Sequence, residues 1–150
     1  MKKWLNIIVG VMMLICVSIP VLAEDTSETA NTVIGVSVYN LNDAEVRAFR
    51  NYLENYIGIT FNVDFIYSTG ILSAEDEITF IEELHEKGVK GIISFLSTDL
   101  EQVLPVCEEY GMYYVRGSGT ISNEMFEKVK NNPYFLGVIG PSAEEEQKAA

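Results

Sequence analysis

Apolar and polar residues come in blocks along the chain, and each block has its own period. Thr32-Val33-Ile34-Gly35-Val36-Ser37-Val38-Tyr39 is a mostly apolar, β-branched run, which predicts a buried strand. Asp43 follows as an expected helix N-cap, because a short carboxylate accepts the free amides of a first turn. Val46, Phe49, Leu53 and Tyr56 then recur at helical spacing. Phe61, Val63, Phe65 and Tyr67 alternate with Asn62, Asp64 and Ser68, which predicts a half-solvated edge strand. Ser73, with Glu75 and Asp76 behind it, opens another helix, where acids meet the positive end of the dipole. Ile78, Ile81, Leu84 and His85 mark its inner face, and Gly88 ends it.

Residues 89–96 form a short continuous apolar run, as expected of a central parallel strand. Ser97, Thr98 and Asp99 offer caps for a helix from Leu100 to Tyr110, which Gly111 ends. A fourth strand is expected over 112–115, with Arg116-Gly117-Ser118-Gly119 as a loop. Ile121, Met125, Phe126 and Val129 predict a weaker helix that stops near Asn131-Asn132-Pro133. Residues 134–139 read as a fifth strand. Gly140-Pro141-Ser142 then turns into a last helix from Ala143, with Glu144, Glu145 and Glu146 in its first turn. Strands alternating with helices are βαβ units with right-handed crossovers. The expected fold class is therefore α/β, a three-layer parallel sheet with helices on both faces. The edge pattern of the second strand selects the order 2-1-3-4-5.

The first 23 residues stand apart from this alternation. Lys2 and Lys3 precede an apolar run from Leu5 to Val17, Pro20 breaks it, and Val21-Leu22-Ala23 ends it on small residues. This reads as a secretory signal peptide, 1–23, cleaved after Ala23. An uncleaved membrane anchor and a lipid modified Cys16 are the alternatives, and Ile15 before that cysteine is larger than lipidation favours. Residues 24–31 are polar and acidic and read as a flexible leader. The expected location is exported, in the periplasm or on the outer face of the cell membrane.

Composition narrows the chemistry. The 150 residues carry 22 acids, 10 bases and a net charge of −12. Removing residues 1–23 takes away Lys2 and Lys3 and no acid, so the charge falls by two, to −14. Such a chain is a poor partner for nucleic acid or anionic lipid. The single His, His85, argues against a His-rich metal centre, and no cofactor is expected. Cys107 is the only cysteine after residue 23 and lies on the stripe of Leu100, Val103, Leu104 and Tyr110, which predicts a buried, inert thiol.

In open α/β sheets, ligands bind beyond the carboxyl ends of the strands, near the switch in strand order. Those ends carry Tyr39, Asn40, Asn42, Asp43, Phe95, Ser97, Arg116 and Ser118. Aromatics, amides, hydroxyls, one carboxylate and one guanidinium suit a small, hydroxyl-rich solute. The same residue types also cap helices and make turns, Tyr39 and Phe95 also fill cores, and Arg116 suits either an anionic ligand group or a nearby carboxylate. Enzyme motifs are weak. Gly117-Ser118-Gly119 lacks a third glycine, no Walker lysine occurs, and His85 falls mid-helix, away from the strand ends. An acidic phospho-acceptor pocket would need an acid where the third strand ends in Phe95 and Leu96.

An exported chain with Val33-Ile34-Gly35-Val36-Ser37-Val38-Tyr39, then Asn42-Asp43, then Gly88-Val89-Lys90-Gly91-Ile92-Ile93, then Gly137-Val138-Ile139-Gly140 resembles the type I periplasmic solute-binding proteins. It is most similar to the sugar-binding group, which includes galactose- and ribose-binding proteins and shares its fold with sugar-responsive repressors. The resemblance covers residues 32–150. It implies two lobes that close on a ligand, delivery to an ABC transporter permease, and no catalysis. Asp43 stands where that group has an acid that bonds sugar hydroxyls, and residues 116–118 where it has another contacting loop. Glu45 replaces a stacking aromatic and Phe95 a polar contact residue. Only the first lobe is matched, so 32–150 is expected to be the N-terminal lobe of a truncated chain, its last helix cut after about two turns. A frayed terminal helix is the plain alternative. A lone lobe is expected to bind at millimolar affinity or worse, because half the contacts are missing. An autonomous secreted interaction domain and an enzyme on a flavodoxin-like sheet are the competing classes.

Overall fold

The computed structural model describes residues 31–140. The expected signal peptide, the leader up to Ala30 and the expected helix from Ala143 lie outside the described residues. Five strands are present: β1 (Thr32–Ser37), β2 (Val63–Tyr67), β3 (Gly91–Ser94), β4 (Tyr113–Arg116) and β5 (Phe135–Val138). The helices are α1 (Ala44–Tyr52), α2 (Ala74–Glu86), α3 (Leu100–Tyr110) and α4 (Asn123–Val129). The sheet is all-parallel, in the order β2-β1-β3-β4-β5, as the sequence pattern predicted.

The crossovers put helices on both faces. Ile81 and Leu84 of α2, Val103, Leu104 and Cys107 of α3, and Val129 of α4 pack with Ile92 and Tyr114 on one face. Val46 and Phe49 of α1 and Leu53 pack with Val36, Val38, Phe65, Tyr67 and Ile93 on the other. Gly35 lets α2 approach β1: a Cβ there would stand 2.2 Å from Leu84 Cδ1. Beside β4 and β5, on the α1 face, Tyr113, Leu136 and Ile139 are exposed.

Local signals behave as their chemistry dictates. Asp43 caps α1, its carboxylate accepting the amides of Glu45 (2.9 Å) and Val46 (3.3 Å). Ser73 and Asp76 form a capping box on α2. Gly88, at φ 77°, turns the chain after α2, and the Val89 amide returns to the Leu84 carbonyl at 3.0 Å.

Some expectations need correction. Helix α1 continues into a π-helical stretch, Leu53–Gly58. The wider turn shifts the inward face from Tyr56 to Ile57, so Tyr56 is exposed and stacks on Tyr52 instead. Phe61 ends the short helical segment Ile59–Phe61 and is exposed, and Asn62, in the left-handed region, redirects the chain into β2. Phe126 is likewise exposed. Arg116 is the last residue of β4 rather than a loop residue, and it is buried. Asn31, expected in the flexible leader, donates from its side-chain amide to Asp64 at 3.1 Å.

Candidate functional site

The carboxyl ends of β1 and β3 are neighbours, with Ser37 paired to Ser94. The first connection leads to α1 on one face and the second to α3 on the other. This is the switch point, and the two connections diverge from it to leave a cleft. Tyr39, Leu72, Ser73, Phe95, Leu96, Ser97 and Thr98 line that cleft, which holds about 440 Å³. That volume falls in the range of small-molecule sites. The walls are aromatic and aliphatic and carry the hydroxyl of Ser97 beside those of Ser73, which also caps α2, and Thr98, which also donates to Glu77; they fit a solute with an apolar ring face and hydroxyls at its edge.

The β1–α1 connection is stiffened by its own amides and carboxylates. The Asn40 side-chain carbonyl accepts the Asn42 amide at 2.9 Å, and the Asp43 amide donates to the Asn40 carbonyl at 3.2 Å. The neighbouring Asp43 carboxylate raises the Tyr39 phenol above its ordinary pKa, and Tyr39 in turn lowers the carboxyl below its own. The amides of Val46 and Glu45 lower Asp43 further. Asp43 is thus engaged as a cap and as the partner of Tyr39. Past β2, Ser68 locks the adjoining loop: its hydroxyl accepts the Val38 amide at 2.8 Å and donates to the Val38 carbonyl at 3.1 Å.

Under the β3 end lies a buried polar layer. Glu77 of α2 is fully buried and accepts from the Tyr114 hydroxyl at 3.2 Å and from the Thr98 hydroxyl. Arg116 is 5% exposed and donates from its guanidinium to the Thr98 carbonyl. Its Nε, like the Ser37 hydroxyl, has no partner among the described residues. Glu77 and Arg116 therefore hold the β3–α3 connection, which presents Ser97 and Thr98 to the cleft. Arg116 lines neither this cleft nor the one beside it.

A second cleft of about 650 Å³ opens on the other side of Tyr39. Asn40, Leu41, Asn42, Arg47, Arg50, Asn51, Glu54, Thr69 and Gly70 line it with Tyr39. The structure thus gathers Tyr39, Phe95 and Ser97 in one cleft and Tyr39, Asn40 and Asn42 in the other. Asp43 lines neither cleft, and Ser118 is exposed outside both. Phe95 is half-buried; its ring meets Phe49 edge-on at 4.4 Å and would collide with any Cβ on Gly117. It is core filling as much as cleft wall.

Sequence reasoning missed Leu72, Ser73, Arg47, Arg50, Asn51 and Thr69 as lining residues. It also missed Glu77, although Glu77, Phe80, Ile81 and Leu84 share one buried stripe and the acid falls in its first position. An acid in an apolar stripe is the signal of a buried polar anchor. Among the described residues no group of three or more His, Cys, Asp or Glu residues is placed to hold a metal ion. No described helix is long and apolar enough to cross a membrane. Comparison with protein-family models, with curated proteins and with solved structures finds no match.

Proposed function

We propose that the chain is the N-terminal lobe of an extracytoplasmic solute-binding protein that takes a small, hydroxyl-rich ligand of the sugar class for an ABC transporter. The observation that supports it most is the cleft at the β1–β3 switch point, where Tyr39, Phe95 and Leu72 flank the hydroxyls of Ser73, Ser97 and Thr98. Tyr39 is 45% exposed and Leu72 86%. Apolar side chains left open at the strand ends are what a lobe presents to a ligand and to a second lobe closing over it. The signal-peptide pattern and the resemblance of residues 32–150 agree with this reading. It assigns the chain no catalysis: the two clefts bind, and the buried layer beneath them positions.

The test is saturation-transfer NMR of the chain with a panel of free hexoses and pentoses, beside amino acids and polyamines as unrelated solutes. The expected result is transfer to sugar ring protons at millimolar affinity, lost in Tyr39→Ala. Transfer only to amino acids or polyamines, or to no solute, would contradict the reading. A secreted interaction domain is the alternative, and the exposed Tyr113, Leu136 and Ile139 beside β4 and β5 are the observation in its favour.

A further inference from the structure

Tyr39 is the wall common to two clefts of different chemistry. The β1–β3 cleft has hydroxyls and no charged side chain. The cleft on the other side of Tyr39 carries two guanidiniums, Arg47 and Arg50, one turn apart on α1. In a chain with 22 acids and 10 bases, two arginines on one cleft run against the general charge. Arg50 is already engaged: its Nε donates to Glu54 at 2.8 Å, and its guanidinium lies over the Tyr67 ring at 4.9 Å. Arg47 is exposed and has no carboxylate within 4.0 Å among the described residues, although its charge reaches Asp43 one turn back and helps hold that carboxyl below its ordinary value. Asn51 and Thr69 add neutral polar groups on the same walls.

We infer that the solute of this site is a sugar acid, its ring against Tyr39 in the β1–β3 cleft and its carboxylate on the Arg47 side of the second cleft. This rests on the sugar-binding reading above. One guanidinium with no close ion pair matches one carboxylate, in the planar two-point geometry arginine favours. A phosphate carries up to two charges and would meet Glu54 within the same cleft and the net charge of −12 around it. A monoanion is therefore favoured over a dianion.

The experiment is a titration of the chain, followed by backbone amide shifts, with glucose, glucuronate and glucose 6-phosphate as probes. Glucuronate is expected to bind about threefold more tightly than glucose, the scale of one solvent-exposed ion pair. Glucose 6-phosphate is expected to bind more weakly than glucuronate. Arg47→Gln brings the glucuronate-to-glucose ratio to one. Glu54→Gln, which frees Arg50, raises the ratio, whereas Glu82→Gln on α2, an equal change of charge on the far face of the sheet, leaves it alone. Equal affinity for glucose and glucuronate, or a preference that survives Arg47→Gln, overturns the sugar-acid inference while leaving the sugar reading intact. Glucose 6-phosphate binding as tightly as glucuronate overturns the choice of carboxylate. No binding of any of the three overturns the sugar reading and this inference together.

Discussion

Tyr114→Phe removes one oxygen from the centre of the buried polar layer and leaves the ring volume unchanged. Tyr114 is fully buried, and its hydroxyl is one of two side-chain donors to the equally buried Glu77, the other being Thr98. Burial and the charge of Glu77 both push the Tyr114 phenol above its ordinary pKa, so it stays a donor throughout the working pH range. Leaving a buried carboxyl oxygen without its donor costs roughly 1–3 kcal/mol. At 3.2 Å the bond is at the long end and Glu77 keeps Thr98, so the lower part of that range applies, about 1–2 kcal/mol. For a domain of this size that is a fall in Tm of about 4–8 °C. Chemical denaturation followed by circular dichroism reads it as a lower midpoint at unchanged slope. Thr98→Val should cost a similar amount, and the double variant more than the sum by about 1 kcal/mol or above, because Glu77 is then buried with neither donor. A loss under about 0.5 kcal/mol for Tyr114→Phe, within the range of an ordinary surface change, would refute the claim that Glu77 anchors the β3–α3 connection.

Four further outcomes follow from the packing, the burial of Cys107 and the caps. Leu84→Ala, at a fully buried position against β1, should lose about 2–5 kcal/mol by denaturant titration, and Gly35→Val should also destabilise, because its side chain would overlap Leu84. The Cys107 thiol is pushed up to about 12, first by burial and then by the charge of Glu77, so it should resist alkylation in the native protein at pH 9 and react at once in denaturant. The carboxyls of Asp43, Asp76 and Asp99 are held below their ordinary value, mainly by Tyr39, by the Leu72 amide and by Gln102 respectively. Lowered folded pKa values mean that their stabilisation is complete above about pH 4 and is lost as the pH falls through the folded values. The denaturation midpoint should therefore drop below pH 4, and the drop should shrink when all three are changed to Asn.

The parallel sheet and its order were legible because buried strands, caps and stops repeat with little ambiguity here. The run 89–96 between Gly88 and Asp99 admits no other central strand, and the alternation at Asp64 to Tyr67 admits only an edge. What was not legible depends on contacts between distant elements. Nothing local distinguishes Tyr56 from Ile57 as the inward residue; the π-helical widening after Leu53 decides it. Arg116 looked available in sequence because it follows an apolar strand. In the structure Thr98, 18 residues earlier, claims its guanidinium. Helix caps were the most legible part of the site, and they show why a motif residue is ambiguous: the Asp43 that the resemblance would give to a sugar is the residue that caps α1. Of the second cleft only Tyr39, Asn40 and Asn42 were legible, because its other walls come from the outer face of α1 and from the loop after β2, which no local pattern brings together.

The measurement that tests the central claim most directly is the map of amide shifts in the isotopically labelled chain as a hexose is added to saturation. Perturbations confined to Tyr39–Asn42, Ser73 and Ser97–Thr98, with millimolar half-saturation, are the predicted result. Shifts centred on Tyr113, Leu136 and Ile139, or no shifts at all, would contradict the assignment of the β1–β3 cleft as a sugar site.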